Sequence, residues 1–122
     1  LHGGIAPLLF QQVYHPDLLS LSIDSYLGHP RPQADAASQI SHGRIGFFCS
    51  DTQRTFDPPS PQALQSAQAD EAYCGHRYFI APGHTTPVTI DFATCPGLFW
   101  LQSPSALQLD TSTANLRKLL WG

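Results

Sequence analysis

The chain has 122 residues with six basic and nine acidic side chains, and Arg31, Arg44, Arg54, Arg77 and Arg117 are scattered along it, so a nucleic-acid partner held through its phosphates is disfavoured. Charged residues make up 12%, about half the usual quarter, with Lys118 the only lysine and Glu71 the only glutamate, which argues against a helix bundle. No apolar run approaches the length of a membrane span, and 9 glycines and 11 prolines call for many turns.

This length suits one domain spanning residues 1–122 with a core of its own. A surface so poor in charge is weakly protected from association. That favours a secreted domain or a subunit of an assembly, and hence an extracellular or virion location. The sequence contains no methionine and starts at Leu1, which reads as a removed leader or a trimmed chain, although no signal sequence is visible. Asn115, the only asparagine, is followed by Leu-Arg and forms no glycosylation sequon.

In chain order, residues 1–7 read as an arm without periodicity, and Leu8–Tyr14 as a short strand. Leu19, Leu21 and Ile23 alternate with Ser20, Ser22 and Asp24, the period-2 pattern of a half-buried strand. The polar, proline-bearing residues 28–43 read as a long loop with one helical turn near 34–38. Arg44–Ser50 predicts a strand, with Gly46 marking a bulge or a close approach. Ser60-Pro61 supplies an N-cap and first-turn pair for a helix over 62–72 whose apolar face is mostly alanine.

The segment from Cys74 to Ser103 predicts a three-strand meander punctuated by Pro-Gly at 82–83 and 96–97. Its middle strand is Val88–Phe92, with Val88, Ile90 and Phe92 on one side and Thr89 and Asp91 on the other. Ala106, Leu107 and Leu109 suggest a further strand. Thr113 stands where it could cap a last apolar segment, 114–121, which fits either a helix or an edge strand. About seven or eight short strands with one short helix predict an all-β fold: an antiparallel, jelly-roll-like two-sheet sandwich, with α+β as the alternative.

Three cysteines leave one over after any pairing. Aligning the meander's core faces sets Ile80 opposite Ile90 and Tyr78 opposite Phe92, so Cys95 falls across from Gly75. A Cys74–Cys95 disulfide then requires a bulge at Gly75. Cys49–Cys95 is the competitor, and three buried reduced thiols the plain alternative. Cys74-Gly75-His76, with His42 and His84 elsewhere, is one weak ligand pair without a second, so no metal is expected. With no Walker loop and no dinucleotide fingerprint, no cofactor is expected either.

Catalytic sketches are thin. Cys49-Ser50-Asp51 with His42 or His76 could form a thiol nucleophile and base, but no local signature supports it. Carboxylates for hydrolysis would come from Asp51, Asp57, Asp91 or Asp110, and Asp91 has a structural use as the cross-strand partner of Arg77, worth a few tenths of a kcal/mol. The six histidines would swing the net charge positive below about pH 6.

Aromatic side chains carry the positive expectation. Tyr78, Phe79 and Trp100 sit where neighbours must face opposite ways, so the meander is either covered on both faces or offers them to a ligand, a glycan among the candidates. Leu116, Leu119, Leu120 and Trp121 would be costly in water and should close the core or form an interface with a neighbouring subunit. The expected function is a non-catalytic assembly or binding module. Its partner would be a second copy, as in a homo-oligomeric shell, fibre or virion, another protein subunit, or a ligand of a secreted recognition domain. A small secreted hydrolase or toxin using Cys49 or a carboxylate pair is the alternative.

Overall fold

A computed structural model of the chain describes residues 5–15, 23–28 and 38–122. In order, the elements are α1 (Ala6–Val13), β1 (Tyr14–His15), β2 (Ser38–Gln39), β3 (His42–Phe47), β4 (Arg54–Thr55), α2 (Pro61–Gln68), β5 (Tyr73–Tyr78), β6 (Thr85–Thr86), β7 (Gly97–Ser103) and α3 (Ala106–Trp121). Residues 23–26 add one helical turn. An antiparallel sheet of order β3-β7-β5 holds the centre, and β1-β2 and β4-β6 are separate two-residue pairings. The fold is therefore α+β, and the two-sheet jelly-roll sandwich is overturned.

β7 is central because its residues can be covered on both faces. Gly97, Phe99, Leu101 and Ser103 are buried and the residues between them half-buried. Register sets Gly46 and His76 opposite Phe99, and Ile45 and Gly75 opposite Trp100. The Phe99 face carries Phe48, Tyr73 and Tyr78 and packs with the helices α2 and α3. The Trp100 face receives α1, where Leu9 and Val13 are buried close to Gly43. Gln102 Nε2 donates to the Gln12 carbonyl at 3.0 Å, tying α1 to the sheet. Glycine is required at 75, where a Cβ would lie 2.3 Å from the Trp100 ring.

The core is Phe48, Ala67, Ala72, Phe99, Leu101, Leu109, Leu116 and Leu120. Each large side chain in it stabilises the fold by about 1.5–3 kcal/mol relative to exposure. Leu109, Thr113, Leu116 and Leu120 recur at helical spacing along α3 and form its buried stripe. Ser105 caps that helix by accepting from Gln108 N at 3.3 Å, and Ser60 caps α2 by accepting from Ala63 N at 3.1 Å.

Three predicted strands are not strands. Leu8–Tyr14 is chiefly α1, since a helix alone can set Leu9 and Val13 together over Gly43. Residues 106–109 and 114–121 belong to one continuous α3, in which Thr113 is no cap: its hydroxyl donates to the Leu109 carbonyl from a buried mid-helix position. Val88–Phe92 is irregular loop. There the Thr94 hydroxyl accepts the amides of Ile90 (2.9 Å) and Asp91 (3.1 Å), while Asp91 Oδ1 accepts the Thr94 amide (2.9 Å). This side-chain turn consumes the donors that a ladder would need. Of the strand predicted at Leu19–Ile23 only Ile23 is described, and it starts the helical turn; Leu19, Leu21, residues 1–4 of the arm and 29–37 of the predicted loop lie outside the described residues, while the arm's end at Ala6 opens α1 and the loop's end carries β2.

His76 gives the sheet a pH dependence. Tyr73 Oη lies 2.8 Å from its Nδ1, the Tyr78 ring centroid stands 5.2 Å away, and burial holds its pKa below the ordinary histidine value. An unfolded histidine titrates near 6.5, so just below that pH the unfolded chain binds more protons than the native one. The His76 contribution is therefore intact above about pH 6.5 and is lost as the pH falls through that value towards the folded pKa. Urea midpoints measured between about pH 7 and about pH 5 should drop with acid, and His76→Gln should reduce the slope.

Candidate functional site

The turn between β3 and β4 is fixed by bonds reaching across from the 87–96 loop and from the end of α3. Ser50 N donates to Thr89 Oγ1 at 2.9 Å and Thr89 N donates back to the Ser50 carbonyl at 2.8 Å. Trp121 Nε1 donates to the Cys49 carbonyl at 2.9 Å. Arg54 closes the group: its guanidinium donates to the Trp121 carbonyl at 2.9 Å and lies 4.4 Å from the centroid of that indole. Between these segments lies a cleft of about 620 Å³, with Cys49, Asp51, Arg54, Arg117, Lys118 and Trp121 in its wall.

The cleft concentrates the chain's positive charge. Arg54, Arg117 and Lys118 are three of the six basic side chains, and Asp51 is the carboxylate facing them. Cations in the last turn of a helix also complement its dipole, and Arg54 caps the end of α3 directly. Arg117 and Lys118 are exposed, so their charge is presented to whatever enters. A second recess of about 340 Å³, lined by Phe47, Ile90, Phe92 and Cys95, adjoins the first and shares Cys49 and Thr89 with it.

For acid–base or nucleophilic chemistry the cleft supplies, among the described residues, a thiol without a histidine in its wall. Cys49 is exposed and a free thiol. Neither His42 nor His76 lines the cleft; His76 is engaged with Tyr73, and His84 Nδ1 lies 3.4 Å from the Pro82 carbonyl. The four carboxylates considered for hydrolysis do not line one pocket. Asp51 lines the basic cleft, Asp91 the apolar recess and Asp57 neither, and Asp110 is paired with Arg44 at 2.7 Å. Among the described residues no group of three or more His, Cys, Asp or Glu side chains could hold a metal ion.

The residues predicted for ligand binding do not form one surface. Tyr78 faces α3, donates to the Leu120 carbonyl at 2.6 Å, and is pushed up to about 12 by burial and by neighbouring Tyr73. Trp100 lies on the opposite face over Gly75. Phe79 alone is exposed, against Phe92 and Arg77. Of the C-terminal set, Leu116 and Leu120 are buried in the chain's own core, Leu119 packs against it, and Trp121 stacks on Phe48 and Phe56 with centroids 5.5 and 5.6 Å apart.

The register proposed for a Cys74–Cys95 disulfide is absent because β5 pairs with β7 and not with the 87–96 loop. A bulge does occur beside Gly75, between Tyr73 and Gly75, but it turns out an exposed Cys74 thiol. Cys95 is buried, its Sγ 3.1 Å from the Gly97 carbonyl and 3.3 Å from that of Phe48, and all three cysteines are free thiols. The predicted Arg77–Asp91 pair also gives way: Arg77 lies against the Phe79 ring and Asp91 binds Thr94.

Sequence reasoning missed the cleft itself, since its cations come from Arg54 and from a helix more than sixty residues away. The run Arg117-Lys118, next to Trp121 and on the only doubly basic step of the chain, was the available signal. Among the described residues no helix is long and apolar enough to cross a membrane. Comparison of the chain with protein-family models, curated proteins and solved structures finds no match.

Proposed function

We propose that the chain is a non-catalytic binding module, and that its ligand presents an anionic group to the cleft formed by Arg54, Arg117 and Lys118. The carrying observation is the gathering of half of the basic side chains around one concave wall in a chain of net charge −3. Arginine supports this role because its planar fork matches carboxylate and phosphate oxygens. A recognition role of this kind fits the charge-poor composition expected of a secreted domain or an assembly subunit.

The test is an amide NMR titration with citrate at low salt. Saturable shifts are expected at Ser50, Asp51 and residues 114–122, weakening as salt screens the charges. The double variant Arg117→Ala/Lys118→Ala should weaken binding at least roughly tenfold while keeping the fold. Linear, non-saturating shifts at millimolar citrate would count against the proposal.

The exposed Cys49 thiol in the wall of the same cleft favours a second reading, a small hydrolase or toxin acting through that cysteine. Iodoacetamide labelling at neutral pH separates the two. An activated nucleophile reacts faster than an unfolded-chain thiol, whereas a binding wall gives an ordinary rate that bound citrate slows.

A further inference from the structure

Part of the chain's exposed apolar surface borders the basic cleft. Phe47, Ile90 and Phe92 are 41%, 80% and 67% exposed and line the 340 Å³ recess, with the Phe92 and Phe47 rings edge-on and their centroids 6.0 Å apart. The loop that carries Ile90 and Phe92 is pinned. The Thr94 hydroxyl accepts the amides of Ile90 and Asp91, and Asp91 Oδ1 accepts the Thr94 amide at 2.9 Å, so the exposure is set by hydrogen bonds. Grouped apolar surface of this kind marks a binding site.

The neighbouring cleft says what fits there. Cys49 and Thr89 line both the recess and the 620 Å³ cleft, so they form the border between the two. Neither is an acidic or basic residue, and the Thr89 hydroxyl already accepts the Ser50 amide at 2.9 Å. The carboxylate in the recess wall, that of Asp91, is taken up by the Thr94 amide and hydroxyl, both at 2.9 Å. Three cations therefore stand on one side of the border and three large apolar side chains on the other. Both volumes fall within the roughly 300–1,000 Å³ of small-molecule sites. A ligand that matches both sides carries an anionic head and a short apolar body. Citrate or phosphate alone would leave the recess in water, and an uncharged hydrocarbon would leave the cations unused.

We infer that the cleft and the recess are two halves of one site, and that its ligand is a free medium-chain carboxylate. The head meets Arg54, Arg117 and Lys118, and the alkyl chain crosses Cys49 and Thr89 to lie on Phe47, Ile90 and Phe92. The inference rests on the anion-binding reading of the cleft and adds the class of ligand to it.

Amide NMR titrations with butanoate, hexanoate and octanoate test it, each kept below its micelle concentration, with citrate and octanol as controls. Saturable octanoate shifts are expected at Cys49, at Thr89, Ile90 and Phe92, and at residues 114–122. A fully buried methylene is worth about fourfold in affinity, so even in an open recess octanoate should bind at least roughly tenfold tighter than butanoate. Phe92→Ser should remove most of that gain and leave citrate binding unchanged. Ile90→Ser repeats the test at the most exposed of the three side chains, whose loss empties no core. Arg117→Ala/Lys118→Ala should weaken octanoate and citrate alike. Saturable citrate shifts with equal affinities for butanoate and octanoate would overturn the inference and leave the anion reading of the cleft standing. Failure of citrate and of all three carboxylates would remove both. Octanol binding as tightly as octanoate, or octanoate binding that ignores the double variant, would also overturn it. So would broadening at Phe47, Ile90 and Phe92 that grows with protein concentration and ignores octanoate, which would give these side chains to a second copy.

Discussion

Phe48→Ala should lower the unfolding free energy by about 3–5 kcal/mol, as expected for emptying a fully buried aromatic position. Phe48 is the ring on which both ends of the chain's core converge. Phe99, Tyr78 and Trp121 stack around it at centroid distances of 5.3, 5.4 and 5.5 Å, and it has no exposed surface. Its amide is also held, donating to the Gly97 carbonyl at 2.9 Å, so the backbone cannot easily close the void. Such a loss is a large part of the roughly 5–15 kcal/mol by which a domain is stable. Urea denaturation followed by circular dichroism measures it, and a loss below about 1.5 kcal/mol would mean that the surrounding rings collapse into the space.

Gly97→Ala should be almost as damaging for the opposite reason. A Cβ there would lie 2.3 Å from the carbonyl oxygen of Arg77 and 3.0 Å from the Tyr78 Cα, both backbone atoms of the adjacent strand. A flexible side chain could swing aside, but a paired strand cannot. β5 and β7 must part where Tyr78 faces Gly97, or the Gly97 carbonyl must shift away from its contacts with Phe48 N and Cys95 Sγ. The expected loss is at the upper end of the usual overpacking range, about 3 kcal/mol. Amide exchange gives a local readout: the protons of β5 and of Phe79, whose amide donates to the Pro96 carbonyl, should lose protection before those of α3.

What the sequence made legible is what local chemistry decides. Ser60-Pro61 starts a helix because a hydroxyl cap and a fixed φ suit any helix start, whatever lies above it. The strands around Ile45, His76 and Trp100 stand near where β-branched and aromatic residues foretold them. The pattern failed wherever side chains or distant partners outbid periodicity. Val88, Ile90 and Phe92 alternate as a strand should, yet Thr94 and Asp91 take the donors of that segment and turn it outward.

α3 is the clearest failure, and its cause is tertiary. Asp110-Thr111-Ser112-Thr113 in mid-helix is a run of poor helix formers, which reads as a break. In the folded chain three of the four have partners elsewhere: Arg44 donates to Asp110 and Thr113, and Ser112 donates to Asp70 at 2.8 Å. Asp70 also accepts the Ala72 amide at 3.0 Å, and so couples the end of α2 to α3. The bonds from Arg44 and Ser112 cannot be read from spacing, because each spans more than forty residues. The basic cleft was hidden for the same reason, while the exposed Phe79 and Phe92 were visible only as an excess of aromatics.

The two tryptophans stand on opposite faces of one three-stranded sheet, Trp100 on the α1 side and Trp121 in the stack under α3. Their emission is thus a pair of separate optical reporters, one per layer. Removing either indole conservatively leaves a spectrum that belongs to the other, so partial melting of the α1 layer can be seen while the main core is intact. Trp121 adds a further use, because Arg54 and the Cys49 carbonyl touch it: its light should respond to an occupied cleft and that of Trp100 should not.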